Sequence, residues 1–176
     1  TVFDTMAEGL AICSILRDEA GRVADLRYRE LNPALERQTG LSRSAVAGRR
    51  LSEVLPAADL ARWQPRYAEV ADTGEASLFE EYAALLDRWF AVSMYPHPGD
   101  ELVIFYRDIT ERKRHEQQQQ FLLHFSDALR AEPSTDAIAT RALHLLSEQI
   151  GLDRCYLAEY QLEADHADIT HQVGND

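Results

Sequence analysis

The chain has 176 residues, 45% of them hydrophobic, with 18 Lys and Arg against 30 Asp and Glu and a formal net charge of −12. This apolar content is enough for a buried core and excludes wholesale disorder. The acidic balance argues against a nucleic-acid or anionic-membrane binder, because phosphates would repel it. No apolar stretch approaches the roughly 18–20 residues that a membrane span needs. Two cysteines make no disulfide scaffold, so the composition predicts a soluble cytoplasmic protein.

Local signals mark the first strands and helix. Residues 10–16 and 23–31 are strand candidates separated by a short turn. Asn32 suits a helix N-cap and Pro33 suits the first helical position, so a helix is expected to begin there. Gly40 is expected to end it.

The middle of the chain predicts further helices and then more strands. Residues 41–56 form short helical pieces, and apolar side chains at helical spacing predict a helix over residues 57–72. Strand candidates follow at residues 76–86, 88–95 and 101–106. Helices grouped between the second and third of five strands favour an antiparallel sheet of the α+β class over a doubly wound parallel sheet.

A long polar helix is predicted next, over residues 111–131. Heptad spacing carries apolar residues only in its second half, from Leu122 onward, which favours a short coiled coil between two copies of the chain. Ser134 is expected to cap a further helix that ends at Gly151. A strand pair at residues 155–162 and 167–173 then closes the sequence.

Five segments resemble those of PAS domains, a sensor fold of bacterial signalling proteins: residues 3–9, 30–34, 48–56, 88–92 and 107–113. The last contains Asp108-Ile109-Thr110, which looks like the ending by which such domains join a signalling helix. The resemblance implies a five-stranded antiparallel sheet with helices on one face. Residues 121–176 are similar to the opening of a GAF domain, another sensor fold, in its N-terminal α/β part.

The resemblance implies three parts: a PAS sensor domain at residues 1–110, a connecting helix at 111–131 and a GAF-like fragment at 132–176. The expected function is sensory input to a two-component sensor histidine kinase, without an enzyme activity in this chain. The expected partners are a second copy of the chain, through the sensor domain and the connecting helix, and a downstream kinase domain. Two alternatives stay open: input to a cyclic-dinucleotide cyclase or phosphodiesterase, and a dimerisation module with no ligand.

The resemblance also bears on cofactors. Covalent flavin attachment in this family needs a Cys in the helical region at residues 48–55, and that region has none. Heme ligation usually uses a His on the long helix, and residues 57–72 contain none. Heme and covalently bound flavin are therefore disfavoured and no cofactor is predicted, while non-covalent flavin and a small apolar ligand stay open.

Strand alternation and helix spacing nominate eight residues to line such a ligand pocket. They are Leu35, Trp63, Tyr67, Phe79, Phe90, Val92, Val103 and Phe105. The alternative is that these side chains only fill a core. Trp63 and Tyr67 have polar groups that would orient a ligand.

The end of the last PAS strand is the expected output joint. Asp108 and Thr110 are placed to cap the outgoing helix, with an Arg nearby, Arg107 or Arg88, as the partner of the carboxylate. A shift of the sheet would then move the helix. The alternative is a static cap.

The residue pattern predicts neither a catalytic site nor a metal site. Glu80 and Glu81 are adjacent on a strand and face opposite sides, which excludes paired-carboxylate acid–base work. No metal site is predicted, since alternation separates His166 from His171. Residues 121–130 look like a histidine kinase phosphoacceptor box, but Asp127 stands where the phosphorylated His would be.

Overall fold

The computed structural model describes residues 2–163 and 165–174, which fall into two compact units, residues 1–113 and 114–176. Within the described residues, none of the helices combines the length and apolar character that crossing a membrane requires.

The first unit contains one antiparallel sheet in the spatial order β2-β1-β5-β4-β3. Its strands are β1 (Gly9–Arg17), β2 (Val23–Leu31), β3 (Ser77–Ala83), β4 (Arg88–His97) and β5 (Glu101–Asp108). The first and last strands in sequence lie side by side in the centre, with Ala11 opposite Ile104. The α+β class with a five-stranded antiparallel sheet is confirmed.

Helices fill the chain between β2 and β3 and cover one face of the sheet. They are α2 (Pro33–Thr39), α3 (Arg43–Val46), α4 (Leu51–Val54) and α5 (Ala57–Thr73), after a short α1 (Val2–Thr5). The Asn32 side chain accepts a hydrogen bond from the Leu35 amide and so caps α2, and Gly40 ends that helix in the left-handed region at φ 73°. Both ends of α2 are therefore as predicted.

The core lies between these helices and one face of the sheet, called here the inner face. Buried residues of β1, β2, β4 and β5, together with Trp63, Tyr67 and Val70 of α5, make up most of the cluster, and partly buried residues of β3 pack against it. Among its fully buried members are Leu26, Met94, Leu102 and Ile104. Gly9 permits the close approach of β1 to α2, since a Cβ there would lie 2.9 Å from the Leu35 Cδ1 atom.

The strand predicted over residues 76–86 ends early. β3 stops at Ala83, and a 3-10 turn follows at Ala84–Leu86. Asp87 ends this turn in the left-handed region at φ 48°, and its carboxylate accepts a hydrogen bond from the Tyr82 hydroxyl at 2.6 Å. This local hydrogen bond favours the turn over a longer strand.

The second unit contains α7 (Thr135–Ile150) and a hairpin of β6 (Arg154–Gln161) and β7 (His166–Gly174), after most of α6 (Thr110–Arg130). Ser134 caps α7 through the Ala137 amide, and Gly151 ends it, as predicted. In the described part of this unit only Leu143 and Leu145 are buried hydrophobic residues. The GAF assignment of this part of the chain stays a prediction.

Candidate ligand cavity and output joint

A cavity of about 230 Å³ lies between the inner face of the sheet and the helical layer of the first unit. Its floor is formed by β2, β3, β4 and β5, and its walls by α2, α4 and α5 with the 3-10 turn. The apolar residues of the walls are Leu35, Leu41, Val54, Leu55, Leu85 and Leu86. A predominantly apolar interior with few polar groups is typical of small-molecule sites.

Aromatic rings form one side of the cavity. The Trp63 and Tyr106 rings stack with centroids 5.8 Å apart and an interplanar angle of 25°. Phe90 meets Tyr106 edge-on at 6.4 Å and 88°, and Phe79 meets Trp63 edge-on at 5.6 Å. Because edge and stacked pairs restrain each other, this wall is preorganised.

Charged side chains lie at one end of the cavity. The Arg62 guanidinium on α5 is 3.1 Å from the Glu81 carboxylate on β3 and also binds Asp59. The Glu81 side chain is only 13% exposed, whereas that of Arg62 is 54% exposed. The carboxylate of Glu81 thus reaches inward and the cation reaches toward solvent.

Four of the eight predicted pocket residues line this cavity: Leu35, Trp63, Phe90 and Val92. Two others are core residues outside the lining. Phe79 packs against Trp63, and Tyr67 is fully buried with a hydroxyl that has no hydrogen-bond partner among the described residues. That any of them binds a ligand stays a prediction.

The prediction that Val103 and Phe105 line the pocket is wrong. In β5 the buried positions are Leu102, Ile104 and Tyr106, so Val103 and Phe105 point to the opposite, outer face. There Phe105 packs edge-on against Tyr95 with centroids 5.9 Å apart. Every position from Leu102 to Tyr106 is apolar, so the alternation that normally identifies the buried face is missing.

The sequence reasoning missed Tyr28 and Tyr106 and the charged group of Asp59, Arg62 and Glu81. Tyr28 sits between Arg27 and Arg29, an alternation that marks it as inward-facing. Glu81 has no comparable signal, because its counter-ion Arg62 is far away in sequence.

Burial controls the protonation of groups around the core. It raises the pKa of Tyr28 and Tyr106 far above the ordinary value, and raises that of Tyr67 to about 12, with a further contribution from Asp25. It also raises the pKa of the Cys13 thiol to about 12. The tyrosines are therefore neutral at physiological pH, and Cys13 is unsuited to nucleophilic attachment of a ligand.

The expected output joint lies where β5 passes into α6. Asp108 accepts hydrogen bonds from the Thr110 amide at 2.9 Å and the Thr110 hydroxyl at 2.6 Å. The Thr110 hydroxyl oxygen accepts from the Trp89 amide at 3.0 Å. The Arg88 guanidinium lies 3.1 Å from the Asp108 carboxylate. Asp108 and Thr110 thus fasten the start of α6 to β4.

Arg107 is not the partner of Asp108, so the choice of Arg107 for the joint is corrected. It is exposed on the outer face, opposite Ala91 of β4, while Arg88 makes the ion pair. Burial raises the pKa of Asp108, but hydrogen bonds from Thr110 and the charge of Arg88 lower it more, and the net shift is downward.

A second fastening holds the first turns of α6 to β3. The Glu80 carboxylate on the outer face binds Lys113 with an N–O distance of 2.6 Å and also binds Arg112. The Lys113 ammonium lies 5.2 Å from the centre of the Trp89 ring, within cation–π range. Hydrogen bonds from Lys113 and then Arg112 lower the pKa of Glu80.

A helix-covered antiparallel sheet with an interior cavity and a helix leaving its last strand defines a class of small sensory folds. A family model described as PAS fold matches residues 17–114, more than half of the chain. The chain belongs to the PAS fold family.

Several solved structures are similar to the chain at low sequence identity. A domain of a sensory box sensor histidine kinase/response regulator from Geobacter sulfurreducens is 18% identical, with a TM-score of 0.47 over 61% of this chain and 88% of that one. A domain of an HTR-like protein from Haloarcula marismortui is 16% identical, with a TM-score of 0.46 over 60% and 100%. A blue-light activated histidine kinase from Erythrobacter litoralis is 20% identical, with a TM-score of 0.43 over 86% and 51%. No curated protein matches the chain.

Proposed function

We propose that this chain is the sensory input module of a two-component sensor histidine kinase. A small ligand occupies the cavity and shifts the first turns of α6, which pass the change to a catalytic domain downstream. The observation that carries the proposal is the position of β3 and β4, which contribute to the cavity on one face and to the fastening of α6 on the other. The sequence resemblance supports the choice of a histidine kinase.

In both β3 and β4, one residue lines the cavity and its neighbour contacts the start of α6. In β4, Phe90 faces the cavity while its neighbour Trp89 contacts Thr110 and Lys113. In β3, Glu81 faces the cavity while its neighbour Glu80 holds Lys113. Because one strand cannot move only one of its faces, a displacement at the cavity reaches the joint without an intermediate element.

The proposal includes a homodimer formed through the PAS domain and the connecting helix. α6 leaves the side chains of Leu122 and Leu123 more than half exposed, at 55% and 68%. Exposed apolar side chains of this kind are buried when two copies of the helix pair.

The test compares one substitution on the two faces of the sheet. Val54→Phe projects a ring into the cavity, whereas Val103→Phe adds the same ring to the outer face. Native mass spectrometry is expected to find a small adduct on the wild type and on Val103→Phe, and none on Val54→Phe. Hydrogen exchange at the amides of Trp89, Ile109 and Lys113 is expected to change only in Val54→Phe.

Light scattering on the same samples is expected to give twice the chain mass of 20.0 kDa. Bare masses for all three proteins, with identical exchange at the joint, would overturn the sensory proposal in favour of a dimerisation module with a filled core. A monomer at high concentration would contradict the dimer.

A further inference from the structure

We propose that the ligand of this cavity is a small organic cation, with an apolar body of one or two rings and an ammonium group that binds Glu81. The inference rests on the proposed function, since it names the class of ligand for the same cavity. Charge, aromatic geometry and size each point to it.

The charged end of the cavity carries a net charge of about −1, from the carboxylates of Asp59 and Glu81 and the guanidinium of Arg62. Both carboxylates share that one guanidinium. The printed ion pair of Glu81 with Arg62 involves one of its two carboxylate oxygens, Oε1. An arriving ammonium group neutralises the net negative charge of the site, whereas a carboxylate ligand would have to displace Arg62 from two partners.

The other cationic residue of α5, Arg66, contacts an aromatic ring that is not part of the cavity lining. Arg66 of α5 lies with its Cζ atom 3.8 Å from the centre of the Phe79 ring and does not line the cavity. The cavity therefore offers an anionic ligand no cation that is not already engaged by a carboxylate.

The aromatic side of the cavity suits the same ligand. Trp63, Phe90 and Tyr106 line it together with Tyr28, and the faces of such rings attract a cation within about 6 Å. Burial keeps both tyrosines uncharged, so they act as polarised rings and hydroxyl groups and not as competing anions. Aromatic rings around a binding site are an established means of recognising organic ammonium ions.

The volume limits the body of the ligand. A dry cavity of about 150 Å³ holds benzene. At about 230 Å³, this cavity has room for a phenyl or bicyclic ring with a short alkylammonium arm.

The test uses three probes of one shape, studied by isothermal titration calorimetry on the full chain. They are 2-phenylethylamine, its neutral isostere propylbenzene and the anion 3-phenylpropanoate. The amine is expected to bind about tenfold more tightly than either of the others. Glu81→Gln is expected to remove that preference, and Glu80→Gln, the neighbouring residue on the outer face, is expected to preserve it.

A second variant, Arg62→Gln, tests the cation assignment even if Glu81→Gln does not fold. It removes the positive charge of the cavity end and is expected to strengthen amine binding severalfold. Tighter binding of the anion, or an amine affinity unchanged in Glu81→Gln, would overturn the cation assignment. If the neutral probe or the anion binds best and Val54→Phe abolishes that binding, the cation assignment fails while the proposed function survives.

If none of the probes binds at millimolar concentration, the cation assignment is overturned. The proposed function is then decided separately, by the adduct mass and by hydrogen exchange at the joint.

Discussion

The two units of this chain distribute their apolar residues in opposite ways. In residues 1–113 the inner face of the sheet is covered by helices, and side chains such as Ile104 and Met94 are completely buried. In residues 114–176 the β6–β7 hairpin contacts α7, yet Tyr156, Leu157 and Ile169 remain 59%, 44% and 59% exposed. One unit encloses a cavity, and the other presents apolar side chains on its surface.

The difference indicates where each unit obtains its stability. A five-stranded sheet with one covered face can hold a core and still leave room for a ligand. A two-stranded hairpin depends on packing against a helix for its stability, and this hairpin leaves large apolar side chains exposed. The first unit is therefore expected to be the more stable of the two.

The largest expected difference between the units comes from the same truncation on a strand of each. Ile104→Ala leaves a hole in a fully buried core and should cost about 3 kcal/mol of unfolding free energy. Ile169→Ala removes an exposed side chain and should cost less than about 0.5 kcal/mol. Urea unfolding followed by circular dichroism measures both variants. Because both tryptophans of the chain, Trp63 and Trp89, lie in the first unit, fluorescence follows that unit alone. Equal losses of unfolding free energy in the two variants would contradict the difference between the two units.

A medium effect is expected at the helix caps. The Asn32 side chain is fully buried, accepts from the Leu10 and Leu35 amides at 2.9 Å each, and donates to the Glu8 carbonyl at 2.9 Å. Asn32→Ala should cost about 2–3 kcal/mol, because two buried amides and one partly buried carbonyl lose a partner. Ser134→Ala removes the exposed cap of α7 and should cost about 0.5–1 kcal/mol. Thermal unfolding of the two variants would refute this ranking if Ser134→Ala were the more damaging.

The smallest effect is expected at the edge of the first unit, and it depends on pH. Asp108 has a lowered pKa in the folded state, so its interactions stabilise the fold above the unfolded pKa of about 3.9 and are lost as the pH falls through the lower folded value. Arg88→Gln should therefore cost about 1 kcal/mol or less at neutral pH, after solvent screening, and less still at acidic pH. Arg107→Gln, an exposed neighbour, is the control and should leave the pH dependence unchanged. Urea unfolding at pH 7 and at acidic pH measures the loss of unfolding free energy in each variant. If the loss in Arg88→Gln were the same at both pH values, the ion pair would be contradicted.

Local signals allowed the caps and the order of the elements to be predicted. Asn32 and Pro33 at the start of α2, with Gly40 at its end, act through bonds within a few residues and can be read directly. The buried face of β5 could not be read, because Leu102 to Tyr106 are all apolar and the face is chosen by pairing with distant β1.

The charged end of the cavity could not be predicted from the sequence for the same reason. Glu81 and Arg62 meet only after β3 and α5 pack together, so no spacing in the sequence shows the pair. The residues that distinguish one ligand from another are thus set by tertiary contacts, while the scaffold that carries them is visible in the sequence.

The two adjacent carboxylates of β3 have a consequence for how this domain tolerates insertions. Glu81 serves the cavity and Glu80 serves α6 because consecutive strand residues face opposite sides. A one-residue insertion before Glu80 within β3 would move Glu80 to the cavity position and put Phe79 where Glu80 now faces α6. A one-residue deletion would instead move Glu81 to face α6 and put Tyr82 at the cavity position. A change of length within β3 is therefore expected to remove one of the two carboxylate contacts, the one with α6 after an insertion and the one with Arg62 after a deletion.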